Sequence, residues 1–353
     1  MSLLEHRKAI DALDQEIVKL LNQRTAHVLE IGAIKLKAGE EIYAPHRELA
    51  VLRRICKQNE GPITDESLRA IYREIMSSAL SLEKTMTIAY LGPEATFTHQ
   101  AAIHKFGSSL SYSAHKTIAD VFNEVACGRA DYGVVPVENS TEGVVTHTLD
   151  MFVESDLKIV AQIVLSIQQC LISKGVLSEV KKLFTHPQPL GQCRHWLQAN
   201  LPEVEIIEAS STTRAAELAA ATPKAAAIAS ALAAERYQLR ILEQDIQDNS
   251  NNATRFLVLG RQCSPPTTQD RTSLMLSINH EVGALHRALA PFRRYRLNMT
   301  KIESRPNKRK AWEYFFFVDC DGHILGKKLA KAVEEITKEC NFLKVLGSYP
   351  NTE

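Results

Sequence analysis

"TIAYLGPEATFTHQAAIHKF", residues 87–106, is where the chain changes its grammar. Thr87–Leu91 is a short β-rich run and Gly92–Pro93 a turn. Thr96 and Thr98 then stand at the start of a helical run, where unpaired backbone N–H groups favour an anion. Strand, turn and helix in this order open a region, 86–262, that alternates short β-rich runs with helical ones, the pattern of a parallel α/β sheet. Gly92 lacks the GxGxxG companions that bring a pyrophosphate close to a helix start, so dinucleotide binding is rejected.

Outward from this stretch the pattern differs on both sides. Residues 1–85 are helical in periodicity. "RQCSPPTTQDR", 261–271, reads as a linker, and 272–353 follow the order strand, helix, strand, strand, helix, strand of a ferredoxin-like domain. Of 353 residues 45% are hydrophobic and 24% charged, ordinary for globular protein, and the length suits two or three domains. A formal net charge of +1 offers no field for nucleic acid or an anionic membrane. The seven cysteines lack any CxxC or mixed Cys/His spacing, which points to reduced thiols and no metal site. No signal-peptide core opens the chain and no run suits a bilayer, so a cytoplasmic protein is expected.

In the first region Ile10, Leu13, Ile17, Leu20, Leu21, Val28, Ile31 and Ile34 form one helical stripe, closed by Gly39. Arg7, Arg24 and Lys35 lie on that stripe. A charge on a packing seam is costly unless an opposite charge meets it, and although one cation alone could snorkel to water, three favour an anion held between helices. Arg24 and Lys35 are roughly 16 Å apart along the axis, within reach of a small dianion; Arg7 is about 25 Å from Arg24, so only a second, antiparallel copy could bring its Arg7 to the site. Pro45 opens a second helix bearing Arg47 and Glu48. Glu83 shares the stripe of Tyr72, Met76 and Ala79, where burial should raise its pKa and keep it a proton donor.

"LLEHRKAIDALDQEIVKLLNQRTAHVLEIGAIK" with "YAPHRE" resembles an all-helical chorismate mutase across the whole first region. The resemblance implies a site of Arg24, Lys35, Arg47, Glu48 and Glu83, with Arg7 from a partner subunit. Arg7 and Arg24 would hold the two carboxylates of chorismate, Glu48 a hydroxyl, and Lys35 with protonated Glu83 the breaking ether oxygen. The pericyclic reaction needs no nucleophile, metal or cofactor. Ala44 stands where some such mutases carry a carboxylate, and Glu83 where others carry glutamine.

"DYGVVPVENSTEGVV", "LFTHPQPLGQCRHWL", "VEIIEASSTTRAAELA" and "NNATRFLVLG" each join an apolar run to polar residues. Singly these are more often caps; together they suit a ligand at strand ends or in a cleft. "GPEATF", "PVENSTEG", "THPQ", "ASST" and "TRF" resemble prephenate dehydratase, a family with two α/β lobes like a periplasmic binding protein. That implies Thr254 as donor to the departing hydroxyl and Arg255 as a carboxylate clamp. Thr96, Glu138, Asn139, Ser140, Gln188, Ser210, Ser211 and Phe256 would bind prephenate; His99, His115 and His186 are assigned to turns.

"GALHRAL", "NMTKIESRP" and "WEYFFFVD" resemble a phenylalanine-binding ACT domain. Gly283, Ala284, Leu285, Asn298, Glu303, Ser304 and Arg305 would then hold L-phenylalanine as a feedback inhibitor. The expected molecule is therefore multidomain: an all-α mutase, a two-lobed α/β dehydratase and a ferredoxin-like βαββαβ regulatory domain, in a homodimer or tetramer. A mutase fused to prephenate dehydrogenase would need the missing nucleotide fingerprint. A non-catalytic amino-acid sensor would not need Arg7, Arg24 and Lys35 on an apolar seam. A degenerate mutase half stays open because of Ala44.

Overall fold

The computed structural model describes residues 2–249, 251–307 and 313–351; Trp312 of the last motif lies outside them. It divides into two compact units, residues 1–87 with 105–111, and residues 88–104 with 112–353.

The first unit is built on α1 (Leu3–Ala38), α2 (Pro45–Gln58) and α3 (Asp65–Glu83). Ser2 and Glu5 form a capping box at the start of α1, and Gly39 ends it at φ 68°. Thr64 caps α3 by accepting from the Ser67 N–H. The stripe on α1 is not covered by the described residues: Ile10, Leu13, Ile17, Leu20, Ile31 and Ile34 are 52–67% exposed.

From Thr87 the elements are β1 (Thr87–Leu91), α4 (Phe97–Phe106), β2 (Ser111–His115), α5 (Ile118–Ala126), β3 (Tyr132–Asn139), β4 (Gly143–Val144), α6 (Thr146–Glu154) and β5 (Lys158–Ser166). Then come β6 (Cys170–Ser173), β7 (Lys182–Thr185), α7 (Pro187–Gln192), α8 (Arg194–Asn200), β8 (Glu205–Glu208), α9 (Thr212–Ala221), β9 (Ala225–Ala229), α10 (Ala231–Arg236), β10 (Arg240–Glu243) and β11 (Ala253–Gly260). The chain closes with β12 (Asp270–Ser277), α11 (Ala284–Arg294), β13 (Met299–Pro306), β14 (Tyr314–Asp321), α12 (Lys327–Lys338) and β15 (Phe342–Pro350).

Three sheets result. The first has the order β2-β1-β3-β11-β5, with β4 on β3; the second β10-β6-β9-β7-β8; the third β13-β14-β12-β15. The expected parallel sheet is corrected to mixed ones. β1 pairs parallel with β3, but β11 runs antiparallel to both β3 and β5, and β6 antiparallel to β9 and β10. The chain leaves the first sheet after β5, builds the second, and returns as β11, which therefore enters from the opposite end. That reversal sets the start of β11 beside the end of β3, pairing Thr254 with Asn139 and Arg255 with Glu138.

The third sheet has antiparallel pairs throughout and the expected βαββαβ order. It packs on the first: Leu257 and Leu259 share a core with Met275, Phe317, Leu346 and Tyr349. The approach is close enough that a Cβ on Gly347 would collide with the Ile159 backbone. The linker is also tied down, since Ser264 Oγ donates to Val160 O at 2.7 Å.

Candidate active sites

In the first unit, Arg24 Nη1 is buried and, among the described residues, has no hydrogen-bond partner. Lys35 Nζ donates to Ile42 O at 2.9 Å. Glu83 presses its carboxyl on the only buried residue of α1, Gly32, where a Cβ would come 2.6 Å from Oε2. Burial raises the Glu83 pKa, and the Lys35 charge partly opposes the rise. Glu48 Oε2 accepts from Lys105 Nζ at 2.9 Å and Tyr43 OH at 3.2 Å. Arg7 and Arg47 are exposed.

Lys105, Tyr43 and His46 escaped the sequence reading. Lys105 follows the motif that opens the α/β region, and nothing local in "IHKF" points back to Glu48. His46 Nδ1 is buried without a partner among the described residues. Its pKa is lowered by burial, then by Lys35 and Arg47, so the neutral imidazole is favoured beside those cations.

In the second unit the start of β11 meets a buried amide network. Asn139 Oδ1 accepts from the Thr141 and Glu142 N–H groups at 2.9 and 3.0 Å, which fixes the side-chain amide orientation. Its Nδ2 therefore points the other way, donating to Thr254 Oγ1 at 2.8 Å and to Asn252 Oδ1 at 2.9 Å. Asn252 and Gln169 both donate to Gln192 Oε1 at 3.2 Å. Gln169 Oε1 is buried without a partner among the described residues. Thr254 thus accepts a hydrogen bond through its oxygen, and its own proton has no acceptor recorded among the described residues. Gln169, Gln192 and Asn252 were missed; "SIQQC" and "LGQC" look like ordinary polar turns.

Arg255 requires a correction. Strand alternation sends it to the face opposite Thr254, beside Leu257 and Leu259. There its Nη1 meets Asp319 Oδ2 at 2.6 Å, its Nε meets Gln162 Oε1 at 3.1 Å and its Nη2 meets Tyr349 OH at 2.9 Å. Burial works against the charge, but Tyr349 and Asp319 outweigh it and hold the pKa above the ordinary arginine value. Glu138 is taken as well, its Oε2 lying 2.7 Å from Lys301 Nζ.

The remaining expected contacts are mixed. Phe256 is 2% exposed, packed inside the sheet rather than presented to a ligand. Thr96 and Ser211 act as helix caps, accepting from the His99 and Arg214 N–H groups. Ser140 exchanges hydrogen bonds with Asn251 O and Ala253 N. Ser210 and Gln188 are exposed. Two of the three histidines serve turns, His99 Nδ1 accepting from Ala95 N and His186 Nδ1 from Gln188 N, while His115 pairs with Ser113 along β2.

In the third sheet's layer, Gly283 precedes α11 at φ 79°, a conformation suited to glycine, with Ala284 buried and Leu285 half-buried behind it. Asn298 donates to Asp321 Oδ2 at 3.2 Å. On β13, Ser304 is exposed and Glu303 half-buried. Arg305 is not free for an amino-acid ligand as expected; it forms an ion pair with Asp150 at 3.2 Å.

The chain resembles known proteins over nearly its whole length. Residues 6–84 match the family model for chorismate mutase type II, and residues 88–264 that for prephenate dehydratase. A bifunctional chorismate mutase/prephenate dehydratase of Aquifex aeolicus is 50% identical over 353 residues, which cover 99% of this chain and 98% of that protein. A prephenate dehydratase of Arthrobacter aurescens, solved in complex with L-Phe, is 32% identical with a TM-score of 0.70, over 75% of this chain and 90% of that one. A quorum-quenching acylase also reaches a TM-score of 0.70, at 27% identity, over 75% of this chain and 98% of its own.

Proposed function

The chain belongs to the family of bifunctional chorismate mutase/prephenate dehydratases, and on that premise we propose how its residues divide the two reactions and how the second is regulated. Both activities belong to aromatic amino-acid biosynthesis.

In the mutase, Arg24 binds one carboxylate of chorismate and Arg7 of a second copy the other. Lys35 and protonated Glu83 donate to the ether oxygen as its bond to carbon breaks and the new carbon–carbon bond forms. Glu48, held by Lys105 and Tyr43, accepts from the substrate hydroxyl, and Arg47 adds positive charge at the mouth. The unpartnered Arg24 Nη1 supports this reading, because a buried guanidinium atom facing no counter-charge is costly until an anion arrives. The bare apolar stripe of α1 supports a homodimer whose second α1 lies antiparallel across it. A chain that sediments as a monomer at micromolar concentration would defeat that assignment.

In the dehydratase, Thr254 donates a hydrogen bond to the departing ring hydroxyl and relays to it a proton taken up from solvent, so that the threonine ends the step still protonated. The carbon–oxygen bond breaks, the ring carboxylate leaves as carbon dioxide, its electron pair completes the aromatic ring, and the hydroxyl departs as water. The carrying observation is that Asn139 already donates to Thr254 Oγ1, which polarises the hydroxyl and leaves its hydrogen to point at a substrate. Asn139, Ser140, Gln188, Ser210 and Thr96 line the approach, while Glu138, Ser211 and Phe256 support it from behind.

L-phenylalanine binds the third sheet at the turn of Gly283, Ala284 and Leu285 and along Asn298, Glu303 and Ser304, and inhibits dehydration. The open edge of β13 and the phenylalanine complex of the Arthrobacter aurescens protein support this. The test is to supply chorismate and follow prephenate and phenylpyruvate with and without phenylalanine. Both products should form, and phenylalanine should slow only the second; no phenylpyruvate, or no response to phenylalanine, would refute the corresponding part.

A further inference from the structure

The mechanism leaves unused the most heavily partnered buried charge near Thr254. Arg255 lies next to the proton donor in sequence and on the opposite face of β11. Its three hydrogen bonds reach Asp319 on β14, Tyr349 on β15 and Gln162 on β5. Asp319 and Tyr349 are joined in turn by Ser273 Oγ, at 2.5 and 2.8 Å. A second link runs alongside it. Lys301 on β13, two residues before Glu303, bonds Glu138 on β3 at 2.7 Å, and Glu138 is the register partner of Arg255.

We propose that Arg255 is a positioning residue: through Asp319 and Tyr349 it ties the strand carrying Thr254 to the third sheet, and this tie is the link by which phenylalanine on that sheet lowers dehydration. The proposal rests on the phenylalanine reading above. A coupling link needs an element with two arrangements. A cavity of ≈20 Å³, about the space of one water, is lined mostly by apolar side chains such as Leu149, Phe152 and Phe317 and is bordered by Arg255, Lys301, Asp319 and Ser273, so the charges are not locked by close packing on every side. A change in β13 moves Lys301, shifts Glu138 and redistributes the Arg255 contacts. A displacement of β11 then disturbs the dehydratase site around Thr254, weakening ligand binding there as well as spoiling the aim of the hydroxyl.

Coupling between two sites is reciprocal and can be read as a ratio of binding constants. In the full-length protein, the phenylalanine Kd is measured by calorimetry with and without saturating phenylpyruvate, the product of the dehydratase site. Wild type should show a ratio of about fivefold or more. Asp319→Asn should bring the ratio to within about twofold of one, with binding of each ligand alone retained. Tyr349→Phe removes one oxygen from a packed ring without disturbing its volume, and should cut the ratio at least about threefold. A folded Asp319→Asn that keeps the wild-type ratio overturns the proposal; if that variant does not fold, Tyr349→Phe with the wild-type ratio does so. Wild type that binds no phenylalanine, or binds it without coupling, removes the sensor reading and this proposal with it. Wild-type coupling retained in the variants removes this proposal alone.

Discussion

Arg24 on α1 and Arg255 on β11 are both cations set among apolar neighbours, and the fold treats them in opposite ways. Among the described residues, Arg24 has a buried Nη1 facing no partner, on a helix whose apolar stripe is bare. Arg255 has Asp319, Gln162 and Tyr349 around it, with side-chain exposure of only 11%. A buried cation is evidence for an anionic ligand only after the protein's own acceptors have been counted. Arg24 passes that count and Arg255 fails it.

The contrast breaks most readily at Arg24. Arg24→Gln should lower mutase kcat/KM by roughly 10²-fold or more, the scale of a lost buried charge pair, with dehydration of supplied prephenate unchanged. Equal losses in both reactions would mean that Arg24 is structural. A smaller effect is expected from Gly32→Ala. The added Cβ would meet the end of a flexible side chain at 2.6 Å, so the helix survives while the Glu83 carboxyl is displaced, and mutase kcat should fall about tenfold. An unchanged kcat would show that Glu83 is not placed for the ether oxygen.

Smallest is a pH effect whose sign is fixed. Burial raises the Glu83 pKa, so its proton persists above the ordinary glutamate range and is lost as pH rises through the raised value. Only the protonated form donates. Wild-type mutase turnover should therefore fall by a few-fold between about pH 5 and 8, and Glu83→Gln, a donor throughout, should flatten the profile. A flat wild-type profile contradicts the donor role.

How much of this is legible along the chain depends on the range of the contact involved. The helix of Leu3–Ala38, its cations and Glu83 on the α3 stripe follow from a local period, and so does the order of elements in the third sheet. Strand direction does not. "TRFLVLG" has the same alternation whether it runs with β3 or against it, and only the return of the chain from the second sheet makes β11 antiparallel. The face of Arg255 could be told from Thr254 by alternation alone, but what covers that face is supplied by Asp319 and Tyr349, more than sixty residues later in the chain. The amides of Gln169, Gln192 and Asn252 meet across 23 and 60 residues, and a lone glutamine has no pattern to betray its partner. The acylase with an equal TM-score makes the complementary point, that the fold leaves the chemistry to the site.

β11 carries its reactive group on one face and its anchor on the other, and Thr254→Ala in the full-length protein tests that division most directly. With chorismate supplied, prephenate should accumulate at the wild-type rate while phenylpyruvate formation falls by about 10²–10⁴-fold, the range for a positioned proton donor. Phenylpyruvate formed at the wild-type rate would contradict it.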